Sequence, residues 1–127
     1  MNHSEQLPSD QITSVSQLRE IVGQFVAERD WRRFHNLKNL SMAIAIEAAE
    51  LMEHTQWLTT QQVESGEPHN LHGVAEELVD VLCYVLALAN RLDIDLTGSL
   101  LAKMDKTRRK YPVDSPQTAM GLPTPEQ

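Results

Sequence analysis

From Ser14 to Lys110 the apolar residues of this chain recur at spacings of three and four, and no segment alternates with a period of two. Side chains three and four apart share a helical face, whereas strand side chains alternate, so the pattern predicts an all-α chain resembling a four-helix bundle. The first helix is expected over about 15–30, with Leu18, Ile21, Val22, Phe25 and Val26 on one face behind a capping box from Ser14 and Gln17. The second is expected over about 37–56 and is apolar nearly all round in its middle, as in a helix covered on several sides. Gly66 and Pro68 then break the pattern, although Thr59 with Gln62 can cap one short helical turn before them. A third helix, about 71–92, carries Val74, Leu78, Val81, Leu82, Val85 and Ala89 as its stripe. Asp95 caps a fourth, about 96–110, which turns Leu96, Leu100, Leu101 and Met104 inward and stops before Pro112.

At 127 residues the chain has room for one domain, expected over 14–112. Segments 1–13 and 113–127 are rich in Pro, Ser, Gln and Thr and read as mobile tails. A net charge of −7 argues against a nucleic-acid polymer as partner, because backbone binding rests on clustered Lys and Arg. No apolar run approaches the roughly 20 residues needed to cross a bilayer. The start is polar and acidic, unlike a signal or transit peptide, and the expected location is the cytoplasm. The one cysteine, Cys83, lies in an apolar run and is expected to be a small buried hydrophobe.

Within that run stand Glu76, Glu77 and Asp80. Glu77 and Asp80 share a face of the third helix, as Glu47 and Glu50 do on the second. Acids three or four apart usually mark a solvated face. Here both pairs sit among apolar residues of consecutive helices, and four ionised carboxylates facing one another repel unless a cation lies between them. All-oxygen ligation suits a hard ion, Mg²⁺ foremost with Mn²⁺ as a substitute, and a substrate's phosphates commonly complete such a shell. A di-iron bundle would want Glu-x-x-His pairs, which neither helix supplies.

Five of the eleven basic residues fall between Lys103 and Lys110, where the helix macrodipole accounts for some of them and a phosphate clamp for others. Acids for a cation and bases for phosphates suggest a nucleotide, whose base is expected to meet flat aromatic faces. Trp31, Trp57, Tyr84 and Tyr111 each stand beside a charged element. His35 reads equally as a capping histidine and as a nucleotide contact, while His54, His69 and His72 read as loop or surface residues.

"EAAE", a spacer of 26 residues and "ELVD" resemble the ExxE…ExxD signature of the MazG-like all-α nucleoside triphosphate pyrophosphatases. "RDWRRFHNLKNL", "QWL", the Tyr four residues after the Asp and "KMDKTRRKYP" are similar to the dCTP pyrophosphatase branch, so that the resemblance covers about residues 18–112. It implies a Mg²⁺-dependent enzyme that cleaves (deoxy)nucleoside triphosphates, dCTP or related pyrimidine nucleotides among them, to the monophosphate and pyrophosphate. It further implies a homodimer or homotetramer and metal ligation by Glu47, Glu50, Glu77 and Asp80. One of these four acids is expected to take a proton from the attacking water, and Glu50 is the choice among them. Substrate contacts carried over by motif are Trp31, His35, Lys38, Asn39, Trp57, Tyr84, Lys103, Thr107 and Arg109. Thr107 departs from the Asn common at its position, and "FHNLKNL" lacks the Pro that often follows "FH". The rival expectations are a nucleotide-binding or regulatory module without turnover and a purely structural helical oligomer.

Overall fold

The structure, a computed structural model, describes residues 6–66 and 70–114. Residues 1–5 and 115–127 of the two expected tails, and His69, lie outside the described residues. The described residues form helices α1 (Val15–Glu28), α2 (Leu37–Glu53), α3 (Thr60–Glu64), α4 (Leu71–Leu92) and α5 (Leu96–Lys110), with a 3-10 turn at Arg32–Phe34. There is no strand among them.

Each helix start is written in its first residues. Ser14 and Gln17 close a reciprocal capping box, the Gln17 N–H donating to Ser14 Oγ at 3.1 Å and the Ser14 N–H to Gln17 Oε1 at 2.7 Å. Thr59 and Gln62 repeat the arrangement at α3. Asn36, Asn70 and Asp95 cap α2, α4 and α5 by accepting the N–H three residues on. Caps of this kind contribute about 1 kcal/mol apiece. Two aspartates in the left-handed region end helical runs, Asp30 after α1 and Asp93 after α4, each at φ 54°.

The chain divides into two compact units, residues 1–93 and 94–127. In the first, α4 is the central element, packing most extensively on α2 and also on α1. Both pairs are antiparallel: Arg19 of α1 meets Asn90 of α4, and Glu47 of α2 meets Asp80 of α4 while His54, further along α2, meets Gly73. Among the described residues, the buried apolar side chains are Leu40 of α2 and Leu86, Ala87 and Ala89 of α4. Arg19 and Asn90 tie α1 to α4 reciprocally, Arg19 Nε donating to Asn90 Oδ1 at 2.9 Å and Asn90 Nδ2 to the Arg19 carbonyl at 3.0 Å.

The expected stripes are less buried than their periodicity predicts. On α1, Leu18, Val22 and Val26 are half-buried, but Ile21 and Phe25 are exposed. On α4, Ala89 is buried while Leu78 and Leu82 are exposed. Met42, Ile46 and Met52 of α2 are also exposed, so this helix is not covered on all sides by its own chain. In the second unit, α5 carries Leu100, Leu101 and Met104 exposed.

Candidate active site

As α2 runs up the pair, α4 runs down it. Glu47, Glu50 and His54, spaced by three and four, therefore come level with Asp80, Glu77 and Gly73. One carboxylate oxygen from each of Glu47, Glu77 and Asp80 falls within 4.8 Å of the other two. Glu50 adds a fourth carboxylate, close enough to act on both Glu47 and Glu77. Glu47 and Glu77 each turn a buried Oε2 into this space with no hydrogen-bond partner.

Unpartnered buried carboxylate oxygens are costly, and the cost favours the protonated form of both acids. Burial, a hydrogen bond with Glu50 and the negative charge of Glu50, Asp80 and Glu77 push Glu47 up to about 7 from its ordinary 4.5. Glu77 is raised by burial first, then by Glu50 and Asp80. His54 acts on Glu77 in the opposite direction, favouring its charged form. A divalent cation would satisfy the same oxygens without the protons, and the donor set is of the hard, all-oxygen kind that such ions take. Glu47, Glu77 and Asp80 thus form a group able to hold a metal ion.

Glu47 and Asp80 also stand at the wall of a cleft of about 460 Å³. Its remaining wall is largely apolar and aromatic, with Trp31 and Tyr84 on it. The ring of Phe25 meets Trp31 edge-on at 5.6 Å, and the Arg29 guanidinium covers Phe25 at 3.7 Å. Ile21, Val22, Phe25 and Val26 line the same cleft, which explains the exposure of a face that periodicity alone assigns to the core. Cys83 faces the cleft half-buried rather than lying in the core, and burial together with Asp80 raises its thiol. His35 ends the 3-10 turn and lines the cleft, with burial lowering its pKa.

Of the expected site residues, Glu47, Glu50, Glu77 and Asp80 come together, and Trp31, His35 and Tyr84 join Glu47 and Asp80 around the cleft. Lys38 and Asn39 lie exposed on the first turn of α2, outside the lining. Asn39 helps build that turn, its Nδ2 donating to the Phe34 carbonyl at 3.0 Å. Trp57 is 87% exposed in the turn after α2. Lys103, Thr107 and Arg109 belong to the second unit, where Arg109 pairs with Asp105 at 3.1 Å. The sequence reading missed Ile21, Val22, Phe25 and Cys83 as cleft residues and His54 as a neighbour of Glu77. For His54 the available signal was its position one turn beyond Glu50.

Two antiparallel helices that bring ExxE and ExxD pairs together beside an aromatic cleft define a class of helical proteins built around an acidic cluster. Comparison with known proteins makes the class specific: residues 42–119 match the model of the MazG-like family, and the chain belongs to that family. It is 39% identical over 102 residues to bovine (Bos taurus) dCTP pyrophosphatase 1, covering 79% of this chain and 60% of that protein. It is 41% identical over 101 residues to the human (Homo sapiens) dCTP pyrophosphatase 1, covering 78% of this chain and 59% of that one. The chain thus matches less than two thirds of the length of these relatives. A crystal structure of a pyrophosphatase from Archaeoglobus fulgidus superimposes with a TM-score of 0.70 at 37% identity, covering 76% of this chain and 91% of that one. No helix among the described residues is long and apolar enough to cross a membrane.

Proposed function

We propose that this protein is a nucleoside triphosphate pyrophosphohydrolase, cleaving (deoxy)nucleoside triphosphates to the monophosphate and pyrophosphate, with dCTP or a related pyrimidine nucleotide as substrate. The observation that carries the reading is the meeting of four carboxylates, two with buried unpartnered oxygens, at the wall of an aromatic cleft. Glu47, Glu50, Glu77 and Asp80 would hold Mg²⁺, or Mn²⁺ in its place. Such an ion neutralises phosphate charge and makes water a better nucleophile.

The remaining roles fall to the chain's own groups. Trp31 and Tyr84 hold the base between flat faces, with His35 beside them. Glu50 accepts the proton of the attacking water: it acts on Glu47 and Glu77 as a neighbour but stands outside the trio whose oxygens converge. Lys38, Asn39, Trp57, Lys103, Thr107 and Arg109 are further substrate contacts, the bases among them countering charge on the departing pyrophosphate. The chain works as a homodimer or homotetramer, which would cover Met42, Ile46 and Met52 of α2. A reducing compartment, the cytoplasm, suits its lone thiol.

The test is pyrophosphate release from the common dNTPs and NTPs and from 5-methyl-dCTP with Mg²⁺, comparing the wild-type chain with Glu47→Ala. Turnover on a cytosine deoxynucleotide that disappears in Glu47→Ala is the expected result. Saturable Mg²⁺ binding without turnover on any triphosphate would overturn the enzyme reading in favour of a nucleotide-binding module.

A further inference from the structure

We propose that His54 is a positioning residue of the carboxylate site, wedged between α2 and α4 at the level where Gly73 leaves room for its ring. The inference deepens the metal-site reading and rests on it. His54, the C-cap of α2 in helical conformation, continues the series Glu47, Glu50, His54, and Gly73 precedes Glu77 by one turn on α4. The imidazole therefore sits one layer beyond Glu50 and Glu77, at the end of the acidic row away from Asp80.

Gly73, the third residue of α4, is buried, and a side chain there would meet its neighbours. A Cβ there would fall 2.8 Å from His54 Cε1 and 2.6 Å from Asn70 Nδ2. The first contact is the ring itself. The second belongs to the cap of α4, where Asn70 Oδ1 accepts the Gly73 N–H at 3.0 Å. With the ring filling the space that Gly73 leaves one turn before Glu77, the Glu77 side chain is denied that space and keeps to the side where its oxygen converges with those of Glu47 and Asp80. Outer-shell groups that orient ligands in this way commonly account for 10- to 100-fold in metal affinity.

The experiment titrates Mn²⁺ calorimetrically into the full chain without nucleotide, using wild type, His54→Ala, Gly73→Ala and the double variant. Melting curves in EDTA are recorded for each protein. His54→Ala is expected to weaken binding about 10-fold. Gly73→Ala is expected to do the same in the wild-type background and almost nothing on top of His54→Ala, where no ring remains to be displaced. Asn70→Ala removes the cap but not the ring, and its affinity should match wild type. His54→Gln, which restores a polar side chain of similar reach, should recover part of the loss, and it carries the test with Gly73→Ala if His54→Ala does not fold.

Wild-type affinity in His54→Ala, or an equal effect of Gly73→Ala in both backgrounds, overturns the proposal while leaving the metal site standing, provided Glu47→Ala abolishes binding. Absence of saturable binding in the wild type overturns both.

Discussion

The two halves of α4 are built on opposite principles. Its C-terminal half supplies Leu86, Ala87 and Ala89, three of the four buried apolar side chains among the described residues, and meets α1 through a reciprocal pair of hydrogen bonds between Arg19 and Asn90. Its N-terminal half brings Glu77 and Asp80 against the carboxylates of α2, and one oxygen each of Glu77 and of Glu47 on α2 is buried without a partner among the described residues. One helix thus holds the fold together at one end and stores unsatisfied charge at the other. Stability should be concentrated above Tyr84 and metal dependence below it.

The largest effect on stability is expected from Leu86→Ala, which removes buried methylenes from the packed half. It should cost about 2–5 kcal/mol in urea unfolding. Mg²⁺ affinity of the molecules that remain folded should be unchanged; a parallel loss of affinity would dissolve the division between the halves.

Asn90→Ala should cost less, about 1–2 kcal/mol, because it deletes two partly buried hydrogen bonds rather than a core side chain. Its measurement is the same unfolding curve, and an additive result with Glu77→Gln would support independence of the halves. Glu77→Gln itself should raise the melting temperature of the metal-free protein, since it removes a charge that burial and Glu50 oppose. It should also abolish the rise that Mg²⁺ gives to the wild type. A fall in the metal-free melting temperature would mean that the acidic half is held by interactions its geometry does not contain.

How much of this could be read from the sequence follows the same division between local and distant causes. Ser14, Thr59 and Asp95 were legible as caps because their bonds reach only three residues along the chain. The ExxE and ExxD pairs were legible because helical spacing alone puts their members on one face. Ile21 and Phe25 were not legible as cleft residues. Periodicity identifies an apolar face, but only the approach of α4 decides whether that face is packed shut or left open. His54 was missed for the same reason: its significance depends on the register that brings Gly73 opposite it. The 3-10 turn at Arg32–Phe34, three residues long, has too little periodicity to announce itself.

The smallest expected effect is the pH dependence of the metal-free fold, and it sharpens the comparison most. Glu47 sits at about 7 in the folded chain against an ordinary 4.5, so between these values the folded state keeps a proton that the unfolded state has released. Stability then falls as pH rises through that window and stops falling above about 7. The amplitude should be modest, because the cluster opens to solvent and salt screens it. In EDTA the melting temperature should therefore be higher near pH 5 than near pH 7.5, and Glu47→Gln should flatten the curve. Adding Mg²⁺ at pH 7.5 should restore what the lost proton supplied, since cation and proton compete for the same oxygens. If the slope persists in Glu47→Gln, its source is another group, and Glu77 on α4, raised by burial and by Glu50 and Asp80, is the next to replace.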